Sequence, residues 1–431
     1  MGLDAAIRFA TAGHAVRWYH YAPKPTRDGE GFKEFQIVPD WRPHVEWARD
    51  GLILTTGNWR FVHELDRYRE FGAPIFGPSV ASARLEIDRA AGMDAMKAAG
   101  IDVPSYETFD SLAAAARFAR KSDRAWVFKP LGDETDKSLT YVAEDPADLT
   151  GWIERQIAMG KVLKGKCMLQ EKIDMLCEFG VSGWMGPEGF LRDKWQICFE
   201  HKKLMDGEHG PATGEMGTIC QYGETEKLAD EMLMPLEPAL RALGHRGDFA
   251  VGVGIDKSGK SWPFEFTARC GWPAFFIQMA SHRGDPVKWM RDLLDGKDSL
   301  RVSYDVAIGV VCAQPRFPYN NSPAELVEGN TISGVEEVLD DVHLASVAIG
   351  KGYRMEDGKV VVAQTYQTTG EYVLCATALG KTVSRAREKV YGTLEKIRFP
   401  NMMFRQDIGE KLEEPIPALR RFGYARDLRY R

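Results

Sequence analysis

Short apolar segments alternate with helical segments along the first hundred residues, and this order limits the possible folds more than any other feature. The pattern predicts a helix over residues 3–12, strands over 15–21, 51–56 and 74–76, and a helix over 61–71. Strands that alternate with helices are typical of a parallel sheet in an α/β fold. We therefore expect a Rossmann-like unit, without the strand and glycine loop that usually open such a unit.

The composition limits the class of protein. The chain has 431 residues, of which 44% are hydrophobic and 27% charged, and its formal net charge is −6. A chain of this length buries a large core and forms several domains. The negative charge argues against general nucleic-acid binding, which needs a basic surface. Because we find no apolar run of membrane-spanning length and no signal-peptide pattern, we expect a cytoplasmic protein.

The seven cysteines are scattered along the chain and form no CxxC pair. Disulfide frameworks and metal sites need closer spacing, so the pattern predicts reduced thiols. Cys270 lies beside a candidate site in the sequence, where it is either a nucleophile or a packing residue.

A segment over residues 200–218 combines positive charge with glycine. His201, Lys202 and Lys203 are followed by glycines at positions 207, 210, 214 and 217. Glycine lets backbone N–H groups approach an anion that a Cβ atom would hold away. The segment therefore predicts either an anion-binding loop or a solvated surface loop whose glycines form turns.

Two predicted strands carry side chains suited to phosphate and metal. The strand over residues 124–130 is apolar except for Lys129 and the terminal arginine. This lysine either binds phosphate or extends from the strand end to reach water. The polar segment that follows it is expected to form a lid. Glu265 and Thr267 lie two residues apart in the second strand, predicted over residues 264–267, and therefore share a face, where they could bind one cation.

Further elements follow from the same patterns. We expect strands over residues 167–171, 178–185 and 306–313, and helices over 110–123, with Asp110 as N-cap, over 285–294 and over 382–397. Together the elements predict a Rossmann-like domain over residues 1–100, a central domain over 101–297 with a lid subdomain over about 104–175, and a C-terminal α+β domain over 298–431.

Four segments, in order along the chain, match the pattern of one enzyme family. They are GPSVASARLEIDRAAGMDAMKAAGIDVPSYETF at 77–109, EHKKLMDGEHGPATGEMGT at 200–218, PFEFTARCGWP at 263–273, and the segment over 373–409, which ends in FRQDIG. These segments resemble the phosphoribosylamine–glycine ligase family of the ATP-grasp superfamily. The resemblance implies an α/β fold with α+β parts, in which a central ATP-grasp domain is flanked by the Rossmann-like (preATP-grasp) unit and a C-terminal cap.

The activity implied by this resemblance is ATP-dependent ligation of a carboxylate to an amine through an acyl phosphate. Phosphoribosylamine, glycine and ATP would give glycinamide ribonucleotide, ADP and phosphate, a step of purine biosynthesis. The partners would then be these small molecules, with no membrane and no general nucleic-acid binding, and the protein would be a monomer or dimer.

The resemblance also implies roles for individual residues. ATP would be bound by Lys129, Lys137, Gln170, Glu171, Lys172, Ile173 and Glu178, with adenine at 170–173 and the ribose at Glu178. The substrate-binding residues would be Lys202, Thr213, Gly214, Met216 and Gly217. The catalytic residues would be Arg269, Lys203 and His201. Glu265 and Thr267 would bind Mg²⁺, or Mn²⁺ in its place, because hard cations prefer oxygen ligands.

Several positions depart from the family pattern. Thr267 replaces an asparagine, Trp272 and Ala274 replace acidic residues, Ala212 replaces an asparagine, and Glu215 replaces a glycine. A site built around particular polar partners rejects substrates that lack them. Two alternatives therefore stay open: the same chemistry on another amine or amino acid, as in nucleotide modification, and a non-catalytic nucleotide-binding relative.

Overall fold

The computed structural model describes residues 1–22, 26–131, 140–163, 165–223 and 225–431. Its helices are α1 Gly2–Thr11, α2 Val62–Glu70, α3 Val80–Ile87, α4 Arg89–Ala98, α5 Leu112–Ala119, α6 Pro146–Ala158, α7 Glu226–Met232, α8 Glu237–Ala242, α9 Ala274–Ser281, α10 Pro286–Leu294, α11 Ala324–Val327, α12 Val383–Leu394 and α13 Ile416–Arg421.

The strands of the first half are β1 Arg17–Trp18, β2 Gln36–Ile37, β3 Ile53–Leu54, β4 Ile75–Phe76, β5 Tyr106–Phe109, β6 Trp126–Pro130, β7 Tyr141–Val142, β8 Cys167–Glu171, β9 Met175–Gly186, β10 Gly189–Phe190, β11 Gln196–Met205 and β12 His209–Tyr222. Those of the second half are β13 Gly247–Asp256, β14 Ser261–Thr267, β15 His282–Arg283, β16 Arg301–Val302, β17 Val306–Ala313, β18 Glu328–Thr331, β19 Val342–Leu344, β20 Val347–Glu356, β21 Lys359–Thr369 and β22 Tyr372–Gly380.

A large antiparallel sheet organises these elements. Its described strands follow the order β14-β13-β9-β11-β12-β17-β22-β19, with β10 paired to β9. A smaller antiparallel sheet has the order β5-β8-β6-β7, and a third has the order β18-β21-β20. The parallel pairs β1–β2 and β3–β4 lie in the N-terminal unit, where the sequence predicts parallel strands. The protein therefore combines α/β and α+β parts, as expected.

The main core lies on one face of the large sheet. Alternate residues of its strands, such as Phe179, Ile197, Val251 and Val310, are almost fully buried there. They pack with apolar residues of the segment that contains α7 and α8 and with α12. The opposite face packs against α9 and α10 at one end, and at the other it carries polar side chains that form the candidate site.

Two local predictions are wrong. Helix α5 is capped by Ser111, whose Oγ accepts the N–H of Ala114 at 3.2 Å, whereas Asp110 pairs with Lys166. The short Ser111 side chain sits one residue closer to the first free N–H groups and satisfies one of them. The loop expected over residues 200–218 is instead the hairpin β11–β12, with its turn at 206–208. Apolar residues of both strands bury against the sheet and extend the pairing further than the glycines suggest.

The large sheet runs across the predicted boundary at residue 297, because β17, β22 and β19 continue the order of β14, β13, β9, β11 and β12. Separate C-terminal elements, the sheet β18-β21-β20 and helices α12 and α13, surround these added strands. The domain limits at 100 and 297 stay predictions.

Candidate active site

Strand register brings acidic side chains from three strands to one face of the large sheet. Gly252 of β13 pairs with Glu265 on one side and with Gly180 on the other. Glu178 lies two residues from Gly180 on β9. Cys198 of β11 also pairs with Gly180, and Glu200 lies two residues beyond Cys198. Because paired residues and residues two apart share a face, the three carboxylates point to the same side.

The ammonium of Lys202 lies among these carboxylates. Its Nζ is 3.0 Å from Glu178, 3.1 Å from Glu200 and 3.4 Å from Glu265. Desolvation alone would lower the pKa of Lys202, but the three carboxylates outweigh it and raise the pKa well above the usual lysine value. Lys202 in turn holds the pKa of Glu178 below its usual value. Lys202 and Glu178 therefore both carry their charge at neutral pH.

Lys129 reaches this cluster from the smaller sheet. Its Nζ donates to Gln170 Oε1 at 2.6 Å and to the carbonyl of Phe264 at 3.4 Å. These contacts direct the ammonium between the two sheets, which favours the phosphate-ligand interpretation over a lysine extended into water. Desolvation lowers the pKa of Lys129 to about 8, although Glu265 partly offsets the effect. Near neutral pH, this lysine binds its proton less tightly than a surface lysine does.

Two arginines connect the N-terminal helices to the site. Arg89 of α4 lies 3.7 Å from Glu265 and donates to the carbonyl of Pro130 at 3.2 Å. Arg269 lies 3.2 Å from Glu86 of α3, a buried carboxylate that also accepts the N–H of residue 268. The sequence pattern does not single out Arg89 or Glu200, because their place in the site depends on packing and register. The only signal for Arg89 is its position in the 77–109 segment.

The predicted adenine segment joins β8 of the smaller sheet to β9 of the large one. The N–H of Glu171 donates to Ser105 O at 2.8 Å, and that of Lys172 donates to Ala125 O at 2.9 Å. Both groups therefore stabilise the smaller sheet. Contacts to an adenine edge would have to use other polar groups of the segment, such as those of Ile173.

His201 and Lys203 do not join the carboxylate cluster. They neighbour Lys202 along β11, so their side chains start on the opposite face of the strand. His201 is fully buried, and its Nε2 accepts the N–H of Gly409 at 3.0 Å. Burial holds the pKa of His201 well below the usual histidine value, so the ring is neutral. The catalytic roles of both residues stay predictions, which this geometry does not favour.

The predicted substrate-binding residues occupy different surroundings. Met216 is fully buried in a cluster with Phe276, and Gly217 packs against the backbone of β17. Thr213 Oγ1 donates to the carbonyl of Lys202 at 2.9 Å, whereas Gly214 has open space beside its Cα. Lys202 thus belongs to the ion cluster, while Thr213 supports its backbone.

Two departures from the family pattern, Glu215 and Trp272, lie in packed surroundings. Glu215 is buried and accepts the hydroxyl proton of Thr218. Burial, followed by the charge of Glu200, raises the pKa of Glu215 well above the usual glutamate value. The rings of Trp272 and Tyr372 lie 4.4 Å apart between centroids. An aromatic contact thus takes the place of the acid that the family pattern has at position 272.

Cys270 is buried, and burial raises the pKa of its thiol. A thiol that keeps its proton is a poor nucleophile, so the packing interpretation is favoured. Lys137, the other predicted phosphate ligand, lies outside the described residues.

The acidic side chains of the cluster suit Mg²⁺ chemically. Glu178, Glu200 and Glu265 offer oxygen ligands and already surround a cation, the ammonium of Lys202. Thr267 lies on the same strand face as Glu265, as predicted. In the described part of the chain, no three acidic, histidine or cysteine side chains are grouped ready to hold a metal. The ligand set therefore fits a cation that also takes oxygens from another molecule, such as a polyphosphate.

Comparisons with known proteins identify relatives of this chain. Residues 307–411 match the family described as phosphoribosylglycinamide synthetase, C domain. A phosphoribosylamine–glycine ligase of Neisseria meningitidis serogroup B is 27% identical over 357 residues, which cover 80% of this chain and 81% of the relative. The corresponding ligase of Ralstonia nicotianae is 27% identical over 397 residues, covering 88% and 90%.

The chain is a relative of the phosphoribosylamine–glycine ligases. The resemblance predicted from the four sequence segments is therefore confirmed. The crystal structure of such a ligase from Thermotoga maritima superposes with a TM-score of 0.73 at 22% identity, covering 95% of this chain and 98% of the other. The fold is that of the ATP-grasp enzymes, as expected. Among the described helices, none is both long and apolar enough to cross a membrane.

Proposed function

We propose that the protein is an ATP-dependent ligase that joins glycine to phosphoribosylamine and releases ADP and phosphate. The observation that carries the proposal is the mixed-charge cluster between the two sheets. Lys129, Lys202 and Arg89 face Glu178 and Glu265 there, in a chain that resembles such ligases over most of its length. We further propose that it acts in purine biosynthesis in the cytoplasm, as a monomer or dimer.

Opposite charges between the two sheets suit a magnesium–triphosphate complex. The ammonium and guanidinium groups would neutralise phosphate oxygens, while Glu265, with Glu178 and Thr267, would hold Mg²⁺ or Mn²⁺. When bound, the cation supplies Lewis-acid stabilisation of charge on the phosphates. Charges that are already in place cost little reorganisation during reaction, which is why such groups accelerate phosphoryl transfer.

The chain's residues would then act as follows. Lys129 binds phosphate from the smaller sheet, and the segment 170–173 contacts adenine, with Glu178 near the ribose. Arg269, anchored by Glu86, holds the phosphoryl group while a glycine carboxylate oxygen attacks it and ADP leaves. The amine then attacks the acyl carbon, the carbon–oxygen bond to phosphate breaks, and the amine loses a proton to give the amide.

A second candidate keeps this chemistry but changes the amine or amino acid. It is favoured by the buried Glu215 and by the Trp272–Tyr372 pair, which alter the acceptor side relative to the family pattern. Burial disfavours the charged form of Glu215 in spite of the nearby charges of Lys202 and Lys411, so an acceptor with a cationic group would stabilise the carboxylate. The third alternative, a non-catalytic relative, is disfavoured by the retained Lys129, Glu265 and Arg269.

ADP release measured with a panel of amines and amino acids tests the proposal. We expect release only when glycine and phosphoribosylamine are both present, and loss of release in Glu265→Ala. Glu325→Ala, which changes an exposed glutamate on α11, is the matched control. Release with a different pair would select the second candidate. ATP binding without release in any mixture would select the non-catalytic relative.

A further inference from the structure

The C-terminal signature FRQDIG contains a buried charge that the proposed reaction does not use. Arg405 is 1% exposed. Its Nε and Nη2 each donate to Asp407 at 2.7 Å, Nη2 also donates to Glu208 at 2.9 Å, and Nη1 donates to the carbonyl of Lys203 at 3.0 Å. A buried guanidinium needs such partners, because removing it from water unpaired is costly.

The carbonyl that accepts from this guanidinium lies where β11 departs from regular pairing with β12. The register shifts between His201 and Lys203 and again between Lys203 and Met205. Ladder hydrogen bonds are disrupted at such irregularities. Side chains replace them here, since Thr213 Oγ1 donates to Lys202 O at 2.9 Å and the buried guanidinium donates to Lys203 O.

Further contacts from the same C-terminal segment hold the adjoining residues of the hairpin. Lys411 Nζ donates to the carbonyl of Glu200 at 2.7 Å. Gly409 N–H donates to His201 at 3.0 Å, and Asp407 accepts the N–H of Gly207 at 2.8 Å. Residues 405–411 therefore contact β11 on both sides of Lys202 and also fix the turn of the hairpin.

We propose that Arg405 is a positioning residue for nucleotide binding, acting through the backbone of β11 to hold Lys202 among its three carboxylates. The expected effect on turnover rests on the proposed function, whereas the expected effect on the backbone of β11 does not. Without the guanidinium, the irregular part of β11 loses a carbonyl partner, and Asp407 and Glu208 lose their cation. Lys202 then leaves its place, and the carboxylates repel one another and the phosphates of ATP.

Hydrogen exchange and steady-state kinetics of Arg405→Lys, Arg405→Met and Asp407→Asn test this inference. We expect faster amide exchange over residues 200–213 in each variant, with β13 unchanged. The KM for magnesium–ATP should rise about tenfold in Asp407→Asn, as expected for loss of a charge-assisted hydrogen bond. Arg405→Lys should retain part of the wild-type affinity and Arg405→Met none. Arg385→Lys is the control, because its ion pair with Glu388 is exposed.

Asp407→Asn and Arg405→Lys keep the test decisive if Arg405→Met does not fold. Unchanged exchange over 200–213 together with an unchanged KM for ATP in both would overturn the inference. Exchange that rises equally in every strand would also overturn it, because that result indicates general destabilisation. If the wild-type protein releases no ADP, the proposed function fails, but exchange and direct ATP binding still decide the role of Arg405.

Discussion

Gly217→Ala tests whether strand β12 packs closely against β17 or belongs to an open anion-binding loop. A Cβ at this position would lie 2.6 Å from the carbonyl oxygen of Gly309 and 2.8 Å from two side-chain carbons of Ile408. Ordinary contacts begin near 3.4 Å. The overlap with the Gly309 oxygen involves backbone, so β12 and β17 must move apart. Overpacking of this kind costs about 1–3 kcal/mol.

Gly214→Ala is the matched control, because a Cβ at this position would meet no heavy atom within 4 Å beyond its chain neighbours and the backbone there has no positive φ. Alanine there should leave stability unchanged or raise it by about 0.4–1 kcal/mol, because the unfolded chain loses freedom. Urea unfolding followed by circular dichroism measures both variants. If Gly217→Ala proves as stable as Gly214→Ala, the close packing of β12 against β17 is refuted.

Three further variants test the charges of the site and its surroundings. Because the pKa of Lys129 is lowered to about 8, the lysine loses its ammonium charge above that pH. The KM for ATP should therefore rise between pH 7 and 9 in the wild type but stay flat in Lys129→Ala, with Lys121→Ala as the control. An unaltered ATP affinity in Lys129→Ala would contradict the assignment. Burial raises the pKa of Asp248 to about 7, so the folded state binds the extra proton between pH 4 and 7 and stability falls as pH rises through that range. Asp248→Asn should flatten this dependence in pH-dependent unfolding, and a slope equal to that of the wild type would rule out Asp248 as its source. Glu265→Ala should abolish magnesium-dependent turnover while the circular dichroism spectrum stays the same, and unchanged turnover would remove Glu265 from the metal site.

Elements with strong local signals were predicted well from the sequence. The continuous apolar run of β17 and the strand β8 have the predicted limits, and α2, α10 and α12 lie where periodicity places them. The N-terminal strands are shorter than expected, because only Arg17–Trp18 and Ile53–Leu54 find a partner strand. Apolar character predicts that a segment is buried, but pairing decides how much of it forms a strand.

The candidate site was predicted less completely than the fold. Glu265 and Lys129 stand out, because each is a charged residue within an apolar strand. Glu200 joins the cluster through the register of β11 with β9, and Arg89 joins it through the packing of α4. His201 shows the converse, since a histidine beside two lysines suggests chemistry but lies buried against Gly409. The pairing of β11 with β9 and the packing of α4 join residues that are far apart in the sequence, so local spacing does not predict them.

The most direct test of the central claim follows oxygen from the carboxylate substrate. Glycine labelled with ¹⁸O in its carboxylate is incubated with phosphoribosylamine, magnesium and ATP, and the released phosphate is analysed by mass spectrometry. An acyl phosphate leaves the attacking carboxylate oxygen on phosphorus, so we expect one ¹⁸O atom in each phosphate formed with product. Unlabelled phosphate released together with ADP would contradict the account, because the phosphoryl group would then have passed to water.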